Sequence, residues 1–165
     1  MSIREPIRVP ILIVDDRPAN LAAIEAALTS PDHQLVMVQS AQEALLALLQ
    51  TEFAAVLLDV KMPDMTGYEL ARLILGRKLN RHLPIIFISS HRTDGTDVML
   101  GYEAGAVDYI TKPFDPTVLR FKVGVFVELY RQRAALASEA AELRGQNARL
   151  QQIVGTKGTK AGSTC

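Results

Sequence analysis

The chain has 165 residues, 48% hydrophobic and 22% charged, with 18 basic against 18 acidic side chains. That length suits one domain and an appendage, and balanced charge without a basic block argues against a nucleic-acid partner. The lone cysteine, Cys165, rules out an internal disulfide and points to a reducing compartment.

In chain order, "VPILIVDD" (9 to 16) reads as a buried strand rich in β-branched residues. Pro18 then opens a helix carrying Leu21, Ile24, Ala27 and Leu28 at helical spacing. "QLVMV" (34 to 38) is a second strand, and Ser40 with Glu43 forms a capping box that starts a helix through Ala44, Leu45, Leu48 and Leu49. "AAVLLDV" is a third strand, followed by a helix with Leu70, Leu73 and Ile74. "PIIFISS" (84 to 90) is a fourth strand, Val98 to Ala104 a fourth helix and "VDYIT" (107 to 111) a fifth strand, after which Pro116 begins the last helix. The start, "MSIREPIRVP", lacks a signal-peptide core, and no apolar run of about 18 residues occurs, so a cytoplasmic protein without a membrane partner is expected.

Strict strand-helix alternation predicts an α/β fold, a doubly wound five-stranded parallel sheet with helices on both faces. In such sheets ligands bind beyond the carboxyl ends of the strands. Asp15 and Asp16 follow the first strand, Asp59 ends the third, Ser89 the fourth and Lys112 the fifth. Four strands therefore deliver polar groups to one rim.

Three carboxylates at one edge raise one another's pKa unless a cation neutralises them. The donors on offer are oxygens, which suits a hard divalent ion, Mg²⁺ foremost. A carboxylate is also a nucleophile toward phosphorus, and phosphoryl transfer asks mainly for positioning and charge neutralisation.

The stretches "ILIVDD", "LLDVKMPDMTG", "PIIFISS" and "GAVDYITKPF", in this order and spacing, resemble the receiver domains of bacterial two-component response regulators, the CheY-like family. The resemblance spans about residues 9 to 130. It implies strand order 2-1-3-4-5, Asp59 as phosphoacceptor, Asp15 and Asp16 as the acidic pair holding Mg²⁺, and the Lys61 backbone carbonyl completing that site. It places Ser89 and the Ser90 backbone against the phosphoryl group, with Lys112 as ion-pair partner, a cis bond at Pro113, and Tyr109 as aromatic switch. On phosphorylation Ser89 is drawn toward Asp59 and Tyr109 fills the space behind, remodelling the surface of the fourth helix, fifth strand and fifth helix. The implied partner is a histidine kinase or phosphotransfer protein. Lys61 and His91 depart from the commonest pattern. They flank the route of attacking water, so slow self-hydrolysis is expected.

The helical pattern beyond Pro116 runs to about Val154, roughly 57 Å. Leu129, Leu136, Leu143 and Leu150 recur every seven residues. Taken as d positions, they put Phe126, Arg133, Ala140, Asn147 and Val154 at a, with Glu139 at g and Arg144 at e. This reads as a modest parallel coiled coil over 129–154 that dimerises the chain, its register fixed by Asn147. Residues 155–165, rich in Gly, Thr and Lys, are expected to be a flexible tail or a linker to an effector domain beyond the chain.

Simpler roles compete. Asp15 and Asp16 suit a turn, Ser89 a backbone contact and Tyr109 a half-buried strand position. Asp64, Asp94, Asp97 and Asp108 read as turn and cap residues, and His33, His82 and His91 as surface residues. The long helix has the alternative of folding onto its own domain. At the level of function, the alternatives are a Mg²⁺-dependent aspartyl phosphohydrolase, which wants an acid where Lys61 stands, and a non-phosphorylated dimerisation scaffold. The favoured reading is a signalling domain, not an enzyme.

Overall fold

The structure, a computed structural model, describes residues 7–90 and 95–160. Its elements are β1 (Val9–Val14), α1 (Pro18–Leu28), β2 (His33–Val38), α2 (Ala41–Gln50), β3 (Ala55–Asp59), α3 (Gly67–Leu75), a 3₁₀ turn at Lys78–Asn80, β4 (Ile85–Ser89), α4 (Gly95–Glu103), β5 (Asp108–Thr111) and α5 (Pro116–Lys160). All strands pair in parallel, in the order β2-β1-β3-β4-β5, as the resemblance implies. The chain divides into two units between Leu129 and Tyr130.

The central strands β1, β3 and β4 are buried along their whole length, which explains their unbroken apolar runs. On one face Leu12, Val14, Val56, Leu58, Ile85 and Phe87 join a core with Ala44 of α2 and Leu70, Ala71 and Ile74 of α3. Alternation turns Ile11, Ile13, Leu57, Ile86 and Ile88 to the other side, where α1 and α5 supply Ile24, Leu28, Leu119 and Val123, all buried. Arg120 of α5 donates to the Ala27 carbonyl near the end of α1.

Local chemistry sets the helix boundaries. Ser40 accepts from the Glu43 amide, but the Glu43 carboxylate returns to the Gln39 amide, so the expected capping box is only half formed. The full box belongs to Thr66 and Glu69 at the start of α3. Leu49 and Leu73, expected on inward faces, are exposed, because Ala44 and Leu70 with Ala71 and Ile74 already fill those contacts.

Two further expectations need correction. Asp108 is not a turn residue: it opens β5, accepts from its neighbour's amide and ion-pairs with Lys122 of α5. His33 is no plain surface residue, since its Nδ1 lies 2.8 Å from the Leu28 carbonyl.

In the second unit, helix continues past Val154 to Lys160, where a flexible segment was expected. Thr156 supports this stretch locally, its hydroxyl donating to the Gln152 and Ile153 carbonyls at 2.9 and 3.0 Å. Residues 161–165 lie outside the described residues.

Candidate functional site

The rim at the carboxyl ends of the strands gathers the acidic residues. Asp15 follows β1, its amide donating to the Val38 carbonyl of β2 at 3.2 Å. Asp59 is the last residue of β3, beside Ile88 of β4. The Lys112 amide donates to the Ser89 carbonyl at 2.7 Å, which sets this lysine at the same rim. The Lys112–Pro113 bond is cis.

Asp15 is fully enclosed and tightly held. Its Oδ1 accepts from the Arg17 amide at 3.0 Å and from Asn20 Nδ2 at 3.2 Å, while its Oδ2 meets Lys112 Nζ at 2.8 Å. Asp59, also buried, has Lys112 Nζ at 3.5 Å from its Oδ1. Burial pushes the Asp59 carboxyl above its ordinary range, and the charge of Asp15 adds to that; Lys112 opposes both, and Asp16 contributes a further push upward.

Asp15, Asp16 and Asp59 each offer an oxygen within 4.8 Å of the others. Among the described residues, Asp16 Oδ1 is buried without a hydrogen-bond partner. An orphaned carboxylate oxygen in a cluster of three acids facing one ammonium fits a hard divalent cation, held by oxygens alone. The cluster can therefore hold a metal ion.

The other expected residues fall as follows. Ser89 is buried at the end of β4, and Ser90 beside it is exposed. Lys61 is exposed, two residues past Asp59. Tyr109 is half-buried in β5, its ring centroid 6.2 Å from that of Phe87. His91 and Asp94 lie outside the described residues.

Two site residues escaped the sequence reading. Asn20 braces Asp15 from the first turn of α1, a contact between a loop residue and a helix residue that no periodic spacing announces. Gly67 lies against the backbone of Asp59: a Cβ there would stand 2.3 Å from the Asp59 carbonyl oxygen. Its amide also bonds the Val60 carbonyl at 2.8 Å. Glycine is required here for close approach.

The leucines of the heptad are exposed, at 50% for Leu129, 66% for Leu136, 54% for Leu143 and 59% for Leu150. Asn147 is also exposed, whereas Ala140 and Phe126 are half-buried. On the first unit's part of α5, Val118, Phe121 and Val125 form a further exposed apolar surface around a groove of about 480 Å³. The heptad reading left these three residues out.

Comparison with known proteins decides the family. Residues 11–123 match the response regulator receiver domain. The chain belongs to this family. The receiver is 33% identical over 161 residues to a Vibrio cholerae protein named "Probable cyclic di-GMP phosphodiesterase", covering 93% of this chain and 36% of that one. It is 33% identical over 153 residues to the response regulator PleD of Caulobacter vibrioides, covering 88% of this chain and 33% of the relative. The chain thus spans about a third of the length of these relatives. The receiver also superposes on the BeF3-activated DrrB receiver domain of Thermotoga maritima with a TM-score of 0.66 at 31% identity, covering 74% of this chain and 99% of that one. It is a receiver domain of the two-component kind. Among the described residues no helix is long and apolar enough to cross a membrane.

Proposed function

We propose that the receiver accepts a phosphoryl group on Asp59 from a histidine kinase or phosphotransfer protein. The observation that carries this reading is the rim itself: a buried aspartate at a strand end, one lysine within reach, and an acidic neighbour with an oxygen left unpartnered. An Asp59 carboxylate oxygen attacks phosphorus; the O–P bond forms as the bond to the donor's imidazole nitrogen breaks, and the imidazole leaves with that electron pair. Asp15 and Asp16, with Asp59 and the Lys61 carbonyl, would hold Mg²⁺, which supplies charge neutralisation for the transferring group when bound.

Rigid placement is the protein's main contribution. Asp15 is clamped by Arg17 and Asn20, and Gly67 lets α3 press on the backbone that carries Asp59. Lys112 pairs with the phosphoryl oxygens once they arrive, exchanging part of its contact with Asp15. The Ser89 hydroxyl and the Ser90 amide then take the remaining oxygens, and Tyr109, whose ring lies beside Phe87, fills the space that Ser89 leaves. Lys61 and His91 shield the acyl phosphate from water, giving a long-lived modified state.

The exposed leucines of α5 support a parallel homodimer as the means by which the change is passed on. The hydrolase alternative is disfavoured because an exposed lysine, Lys61, stands where a general acid is wanted. Incubation with acetyl phosphate and Mg²⁺ followed by intact-mass spectrometry tests the reading. A single phosphoryl adduct, absent in Asp59→Asn, is expected; no adduct on the wild type refutes it.

A further inference from the structure

We propose that Gly101 positions Tyr109: its missing side chain lets the tyrosine ring lie inward against Phe87, and a methyl group there turns the ring outward. The inference deepens the reading of Tyr109 as the switch residue and rests on it for its functional consequence.

Gly101 is buried on α4, facing β4 and β5. A Cβ built on it would stand 3.2 Å from Phe87 Cδ2, 3.2 Å from Tyr109 Cδ2 and 3.5 Å from Tyr109 Cε2. Carbon pairs at their optimum sit about 3.5–4.0 Å apart, so a methyl group is tolerated only if something yields. Three parties are in contact: the helix, the phenylalanine and the tyrosine.

The helix is clamped. Gly101 lies at the start of a closing motif in which the Ala106 amide donates to the Gly101 carbonyl at 3.1 Å and the Gly105 amide to the Tyr102 carbonyl at 3.0 Å. Gly105 makes this possible with φ of +96°, in the left-handed region. The Val107 amide then bonds the Ile85 carbonyl at 3.0 Å, tying the end of α4 to the sheet.

Phe87 is fixed as well. It is fully buried at the centre of β4, paired with Leu58 on one side and Tyr109 on the other. Tyr68 abuts it edge-on at 4.9 Å. Tyr109, half-buried on the edge strand, is less enclosed than Phe87, and a ring so placed has other staggered rotamers to turn to. It is therefore the tyrosine that gives way.

Ala is a better helix former than Gly, so Gly101→Ala is expected to keep the fold. The test uses the full chain and two readouts. The first is the NMR contact between the Phe87 and Tyr109 rings, which needs no phosphorylation. It is expected to disappear in Gly101→Ala and to return in Gly101→Ala/Phe87→Leu as a contact between the side-chain methyls at position 87 and the tyrosine ring; persistence of the contact in Gly101→Ala, or loss of the fold, overturns the proposal. The second is beryllofluoride affinity with Mg²⁺. Since the inward ring accompanies the modified state, Gly101→Ala is expected to weaken it about threefold, the effect of a modest rotamer bias. The same substitution in a Tyr109→Ala background is expected to change nothing, and an equal loss there also overturns the proposal. If the wild type itself binds no beryllofluoride, the phosphoacceptor reading fails while the ring contact still decides the role of Gly101.

Discussion

The ammonium of Lys112 sits 2.8 Å from Asp15 and 3.5 Å from Asp59. It is anchored to the acid that is otherwise braced, and only reaches the one whose carboxyl is pushed up by burial. Lys112→Met removes the ammonium that pairs with Asp15 and opposes the upward shift of Asp59. The Asp59 carboxyl should then titrate still higher in a carbon-detected NMR titration. Stability at neutral pH should fall by about 2 kcal/mol without divalent ions, less than for a wholly buried pair because the lysine is partly solvated. An unchanged Asp59 titration would mean that the lysine does not act on it.

Asp59 itself should give a pH signature. Its folded pKa lies above the ordinary carboxylate value, so at low pH both states are protonated and burial carries no charge penalty. As pH rises from the ordinary value through the raised one, the folded state must ionise a buried acid and stability is lost. Asp59→Asn escapes this loss. Its advantage over the wild type in urea denaturation should be small near the ordinary carboxylate pKa and grow as pH rises through the raised one. Added Mg²⁺ should narrow the gap by stabilising the wild type more than the variant.

Gly67→Ala places a methyl carbon 2.3 Å from the Asp59 carbonyl oxygen, a backbone atom of the innermost layer. Either α3 retreats or β3 bends, and each displaces Asp59. A destabilisation of about 2 kcal/mol or more is expected, the usual range for overpacking a fixed site. Phosphorylation by acetyl phosphate should slow with it. The comparison with Gly124→Ala is informative, because a Cβ there meets nothing within 4 Å.

The parallel sheet and its rim were legible because β1, β3 and β4 are buried on both faces and so read as apolar runs that end abruptly in Asp15 and Asp59, whereas the strand order came only from the family resemblance. What the sequence concealed depends on contacts distant in the chain or on absent atoms. Gly67 and Gly101 look like ordinary loop and helix glycines until the neighbouring backbone and rings are in place. Asp108 resembled a turn residue because its partner Lys122 lies on another element. Leu49 and Leu73 match the helical period yet face outward, since periodicity assigns a stripe without saying how much of it the sheet can cover.

The leucine heptad offers the last prediction. Leu136 and Leu143 are both more than half exposed, and an isolated helix has no means of covering them. Each leucine buried between two copies contributes about 1.5–3 kcal/mol, so Leu136→Ser/Leu143→Ser removes several kcal/mol of association free energy per chain. Sedimentation equilibrium should show a wild-type dimer and a variant monomer. Both leucines lie beyond Leu129, outside the first unit, so the melting of the receiver and its phosphorylation should be untouched. Asn147→Leu should act oppositely, tightening association while admitting other registers or higher oligomers, because the amide at an a position no longer selects a matched pair. A wild-type chain that sediments as a monomer at every accessible concentration would remove the dimer from the account and leave α5 to act through another partner.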